Sequence, residues 1–189
     1  GGWEMFGPDR LVTRAVNNVV HELDGQPALA LYKRYLGTFA EELPASALLF
    51  PLCLQTHERA ESGLVRTVLG VNEADQSMTF AGDVPEGTHV RLMRTSREGL
   101  VAGAEGAAAI ARRQLGGLDP ALVLLVTCIG RRLVLKRRVE EEVESACDAI
   151  GLGPVFTGFY SFGEIAPSAG SAQSALHNQT MTITALAER

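Results

Sequence analysis

The chain has 189 residues, 46% hydrophobic and 21% charged, with seventeen bases against twenty-two acids and a net charge of −5. That size supports one large domain or two small ones around a substantial core, and the composition is that of an ordinary soluble globular protein. The acidic balance argues against nucleic acid as a partner, and no apolar run nears the roughly twenty residues needed to span a bilayer.

The first elements read as two extended segments around a Phe6-Gly-Pro-Asp9 turn, with strands at Leu11–Ala15 and Asn18–Leu23. Asp24-Gly25 turns the chain into a helix opened by Pro27 and closed by Gly37. Ala28, Leu31, Tyr32, Tyr35 and Leu36 share one face of it, at spacings of three and four. Phe39–Leu43 adds a further helical turn before Pro44, and Leu48–Leu54 reads as an apolar strand with Pro51 marking an edge or bulge. Leu64–Val71, Ser77–Ala81 and His89–Met93 follow as three antiparallel strands joined by turn-forming residues.

Thr95-Ser-Arg-Glu98 has the capping-box pattern, a hydroxyl three positions ahead of a carboxylate. The helix behind it carries a stripe of Leu100, Ala104, Ala107, Ala108, Ala111 and Leu115, and Gly116-Gly117 stops it. Ala121–Cys128 is apolar on both faces, as a central buried strand would be. A further helix runs through Leu135, Val139, Val143, Ala146, Cys147 and Ile150 to Gly151. The last elements are strands over 155–162 and 178–186. The expected fold is α+β: a largely antiparallel mixed sheet with about three helices packed on it, in one domain over 1–189.

The densest basic segment, Arg131, Arg132, Lys136, Arg137 and Arg138, is followed at once by Glu140, Glu141, Glu142 and Glu144 and reads as a solvated helix face. Cysteines 53, 128 and 147 are odd in number and far apart, which fits neither a disulfide framework nor a zinc cluster and points to a reducing cytoplasm. No signal-peptide pattern opens the chain. Gly1-Gly2 reads as an addition ahead of the fold, and a start without methionine as the cut edge of a domain.

The stretch richest in chemistry is Thr157-Gly-Phe-Tyr-Ser-Phe-Gly-Glu-Ile165 and, past a Pro/Ser/Ala/Gly/Gln loop, His177-Asn-Gln-Thr180. Gly158 and Gly163 permit close approach of a backbone or a small ligand. Cys128-Ile-Gly130-Arg131 lies at the C-terminal end of the buried strand, where ligands settle in layered architectures. Cys128 there is either a small buried hydrophobe or a thiol with a lowered pKa beside Arg131. Glu164 is either an exposed strand-end charge or a receptor for an ammonium group. Tyr160 and Phe162 share one strand face, Phe159 and Ser161 the other. His177 is a single histidine without ligand spacing to His21, His57 or His89. Ser161 or Ser171 with His177 and Glu164 makes a triad only on paper, since no Gly-x-Ser-x-Gly elbow exists. Walker and dinucleotide glycine loops are absent too, so no enzyme is expected.

In order along the chain stand Gly2-Trp-Glu-Met-Phe-Gly-Pro8, Glu22-Leu-Asp-Gly-Gln-Pro-Ala28 with its Tyr-rich helix, Cys128-Ile-Gly-Arg-Arg132, Gly158-Phe-Tyr-Ser-Phe-Gly-Glu-Ile165 and His177-Asn-Gln-Thr180. Together these resemble the C-terminal half of the FIST sensory module of bacterial signalling proteins. The resemblance implies a cytoplasmic signal-transduction domain binding a small ligand, amino acids being the usual proposal, with the N-terminal half of the module and a downstream signalling protein as partners. It implies no obligatory cofactor; the alternatives are a haem- or metal-based (nitric oxide) sensor through His177, and a protein-interaction domain using Cys128 or an exposed strand edge. The candidate ligand-binding residues are Cys128, Gly130, Arg131, Tyr160, Ser161, Glu164, His177 and Asn178, with Arg131 set to hold a carboxylate and Glu164 an ammonium.

Overall fold

The computed structural model describes residues 1–55, 63–167 and 173–188 and shows an α+β fold in two compact units. One unit is Glu4–Arg94; the other joins Gly1–Trp3 to Thr95–Arg189.

The Glu4–Arg94 unit opens with β1 (Glu4–Val16), β2 (Val19–Leu23), the two-residue β3 (Gln26–Pro27) and α1 (Ala28–Leu36). Two 3-10 segments, Gly37–Glu42 and Ala45–Leu49, lead to β4 (Leu52–Gln55), then β5 (Gly63–Arg66), β6 (Val68–Asn72), β7 (Ser77–Phe80) and β8 (His89–Arg94). The strand order is β5-β4-β8-β1-β2-β7-β6, with β3 beside β2 and every pair antiparallel. The strands at the two ends of that order, β5 and β6, are consecutive in the chain with only Thr67 between them. The sheet must therefore curl until its ends nearly meet, which explains why the apolar run Leu64–Val71 is two strands and not the single one expected. β1 is one strand and not two, because the Gly7-Pro8-Asp9 stretch is absorbed as a register irregularity between Phe6 and Arg10. The apolar face of α1 closes the core: Leu29, Leu31, Tyr32 and Leu36 pack with Val12, Val20, Leu52, Met78, Phe80 and Leu92. The buried Tyr32 hydroxyl donates to the Phe50 carbonyl at 2.7 Å, so its polar end is satisfied.

The second unit contains α2 (Arg97–Gln114), β9 (Leu122–Cys128), α3 (Ile129–Leu135), α4 (Val139–Ile150), β10 (Val155–Ser161), β11 (Glu164–Pro167), β12 (Ser174–His177) and β13 (Met181–Leu186). Its main sheet has the order β10-β9-β13, with β10 parallel to β9 and β13 antiparallel to it, while β11 and β12 form a separate hairpin. Ala104, Ala108 and Ala111 of α2 pack with Ala146 and Ile150 of α4 and with Val123, Leu125 and Met181 of the sheet. The alanine stripe thus serves a helix pair as well as a sheet. On the opposite face of the sheet Leu122, Val155, Phe159 and Leu186 are exposed, so the apolar run of β9 does not mean burial on both sides.

Three local expectations shift. Ser96, not Thr95, caps α2, its Oγ accepting from Gly99 N at 2.9 Å, while Thr95 Oγ1 donates to the Gly2 carbonyl. The helix expected through Leu135–Ile150 is α3 and α4 separated by a 3-10 turn, with Lys136 at φ +57° breaking the run. The final strand expected over 178–186 is β13 from Met181, and His177 belongs to a separate β12, opposite Glu164 of β11. No described helix is long and apolar enough to cross a membrane.

Gly1-Gly2 is part of this unit's packing and not an appendage. A Cβ on Gly2 would overlap Gly99 O, and one on Gly103 would overlap the backbone of Gly1, so the chain start lies directly on α2. Trp3 Nε1 donates to the Gln179 carbonyl at 3.0 Å and fixes the next residue.

Candidate functional site

The residues singled out at the C-terminal ends of β9 and β10 do gather, but as a closed polar cluster. Cys128, Arg131, Glu142, Glu164, Asn178 and Gln179 are all buried. Arg131 and Glu142 form an ion pair with both side chains at 0% exposure. Arg131 Nη1 donates to Gly1 O at 2.9 Å and to Gln179 O at 3.4 Å, and Nη2 to Leu100 O at 2.8 Å. Thr127 Oγ1 donates to the second Glu142 oxygen at 3.4 Å. This corrects two expectations. The basic–acidic run is not uniformly a solvated face, since Arg131 and Glu142 turn inward while Arg138 pairs at the surface with Glu98 and Glu141. Arg131 does not await a ligand carboxylate, because all three of its nitrogens are engaged within the protein.

Glu164 is likewise committed. Its oxygens accept from Ser161 Oγ at 2.6 Å and from Thr180 Oγ1 at 2.7 Å. Burial pushes its carboxyl above the ordinary glutamate range, against those two hydroxyls, a backbone bond from Thr180 and the charge of Arg131. It is therefore neither an exposed strand-end charge nor an open ammonium receptor. Cys128 takes the first of its two readings: burial raises its thiol above the usual range despite backbone hydrogen bonds at Gly130 and Gln179 and the nearby Arg131. Gly130 faces the Gln179 side chain, which a Cβ would approach to 3.1 Å. Gly158 makes room for the neighbouring β9 backbone, since a Cβ there would overlap Leu125 O.

Tyr160 is half-buried under the Arg132 guanidinium, 5.0 Å from the ring centroid. His177 Nε2 bonds the Ala166 carbonyl at 2.9 Å, so iron ligation through that nitrogen would first break the bond. Among the described residues no group of three or more His, Cys, Asp or Glu is placed to hold a metal. Ser171 and His57 lie outside the described residues.

A concavity lies one residue further along both strands that leave the cluster. Ile165–Pro167 follow Glu164, Met181–Ala185 follow Thr180, and together with Ala107, Ile110, Ala111, Arg113, Gln114 and Leu115 of α2 they line a groove of about 880 Å³. Among the described residues its lining includes no Asp, Glu, His or Cys. Arg112 is paired with Asp119 at 2.9 Å, whereas Arg113 has no ionic partner among the described residues. The floor supplies a second polar element. Cys128 N donates to Thr180 O, so in the antiparallel β9–β13 pair the even-numbered residues of β13 turn their main-chain groups to β9. Those of Met181, Ile183 and Ala185 point the other way, and among the described residues no other strand pairs with β13. Sequence reading missed this groove: Arg112 and Arg113 are equivalent in a string, and only the position of Asp119 separates them.

A sequence model of the FIST C domain matches residues 28–167. The chain belongs to that family, whose members are sensory domains of signal transduction. No curated protein and no solved structure matches the chain significantly.

Proposed function

We propose that this FIST C domain is a non-enzymatic sensor that binds a small zwitterion, an amino acid with an apolar side chain, in the groove lined by α2, β11 and β13. The observation that supports the reading is the meeting, in one concavity, of a cation with no ionic partner among the described residues, main-chain acceptors turned away from β9, and apolar walls. Arg113 receives the carboxylate. The ammonium group goes to outward carbonyl oxygens of β13, since no acid among the described residues lines the groove. Ile110, Leu115, Ile165 and Met181 surround the side chain.

The walls come from three separate elements, so a bound ligand favours the arrangement that holds them together, and that shift is the signal. The cytoplasm, the N-terminal half of the module and a downstream signalling protein are the proposed setting. Thermal-shift measurement with the twenty amino acids tests the reading. Leucine, isoleucine, methionine or phenylalanine should raise the melting temperature by mass action, and Arg113→Gln should reduce the effect. No stabilisation by any of the twenty, or equal stabilisation of Arg113→Gln, contradicts it.

A further inference from the structure

We infer that the natural occupant of the groove is a short peptide with a free C-terminus, laid along β13 as a fourth strand; this deepens the amino-acid reading and rests on the same groove. A volume of about 880 Å³ is more than a single amino acid fills and lies high in the usual pocket range of about 300–1,000 Å³. The groove is also long in the right direction. Five consecutive strand residues, Met181–Ala185, line it, a span of roughly 14 Å, which matches four or five extended residues.

The main-chain groups of Met181, Ile183 and Ala185, turned away from β9 and paired with no strand among the described residues, recur every second residue, the repeat an added strand uses. A lone amino acid satisfies one such position; a peptide satisfies the series. Ile110 and Leu115 on the α2 side and Ile165 on the β11 side offer apolar contacts for its alternate side chains.

Charge selects the source. Among the described residues Arg113 has no ionic partner and no acid lines the groove, so the occupant brings an anion. The terminal carboxylate is the one anion every free peptide carries. A second copy of this chain, offering its own β13, would bring another unpaired Arg113 and no counter-charge from its groove. Self-pairing of edges is therefore disfavoured.

The test titrates four compounds calorimetrically into the protein: leucine, the free tetrapeptide Ala-Leu-Ala-Leu, its C-terminal amide, and the free tetrapeptide with alternate amides N-methylated. The free tetrapeptide should bind about ten-fold more tightly than leucine, and amidation or N-methylation should each remove about that factor. Ile183→Pro deletes an outward N–H without touching the β9 ladder, a place where strands tolerate proline. It should abolish the gain of the peptide over leucine, and Arg113→Gln should weaken both ligands. Leucine binding with no advantage for the tetrapeptide overturns the inference and leaves the amino-acid reading standing. An amide as tight as the acid overturns it in favour of an internal protein segment. Binding of neither compound overturns the groove reading itself.

Discussion

Arg131 and Glu142 face each other across the second unit with no solvent on either side chain, and the same guanidinium holds the carbonyls of Gly1 and Leu100. One cation thus ties the chain start, α2, α3 and α4 into a single framework behind the groove. Removing one partner leaves the other charge buried and alone, which costs far more than removing both. Glu142→Leu or Arg131→Met should each lower unfolding free energy by about 3–5 kcal/mol, and the Arg131→Met/Glu142→Leu double variant by clearly less than the sum. Urea unfolding of the four proteins checks this; additive losses would remove the pair from the account.

The glycine contacts predict opposite signs for one substitution. Gly103→Ala forces a methyl into the Gly1 backbone, and Gly2→Ala adds an unfavourable φ of +89° to an overlap with Gly99 O. Each should destabilise by about 1–3 kcal/mol, as overpacking does. Gly106, on the same helix, has nothing within 4 Å of its would-be Cβ. Gly106→Ala should stabilise by about 0.5–1 kcal/mol through helix propensity. Equal shifts in melting temperature for Gly103→Ala and Gly106→Ala would show that the chain start does not lie on α2.

Glu164 gives the pH dependence. Its folded pKa lies above the ordinary glutamate value of 4.5. As pH rises past that ordinary value the unfolded chain loses its proton first, so the folded state binds more protons and stability falls. The cost is complete once pH passes the folded value. Glu164→Gln stays neutral and can still bond Ser161 and Thr180. Its melting temperature should therefore gain on that of the parent between pH 4 and pH 8, whereas parallel curves would mean Glu164 is not held in a desolvated site.

The thiols should separate by burial. Cys53 and Cys128 are buried, with the Cys53 thiol pushed up to about 11 by desolvation, while Cys147 is half-exposed on α4. A chromogenic disulfide reagent at neutral pH should label Cys147 first and reach the other two only through unfolding. Fast labelling of Cys128 in the native protein would restore the reactive-thiol reading.

Much of the framework was legible because its signals are local. Periodicity marked α1, α2 and α4, and turn residues marked the strand ends. The strand Ala121–Cys128 was found as β9 within one residue. What the string hid was set by tertiary contact. Arg131 sits in the same basic run as Arg138, yet the break at Lys136 turns one inward and leaves the other at the surface. Glu164 and His177, both named as candidate ligand-binding residues, are register partners in the β11–β12 hairpin, but their hydrogen bonds are internal. The groove escaped notice because apolar strand residues such as Ile165 and Ile183 look alike whether they face a core or a ligand.

Those isoleucines also supply the decisive experiment. The chain has five, at 110, 129, 150, 165 and 183, of which Ile110, Ile165 and Ile183 line the groove and Ile129 and Ile150 do not. In a spectrum of protein labelled at isoleucine methyls, added leucine should shift the first three signals saturably and leave the other two in place. Shifts confined to Ile129 and Ile150, or none at all at millimolar leucine, would contradict a ligand seated against α2, β11 and β13.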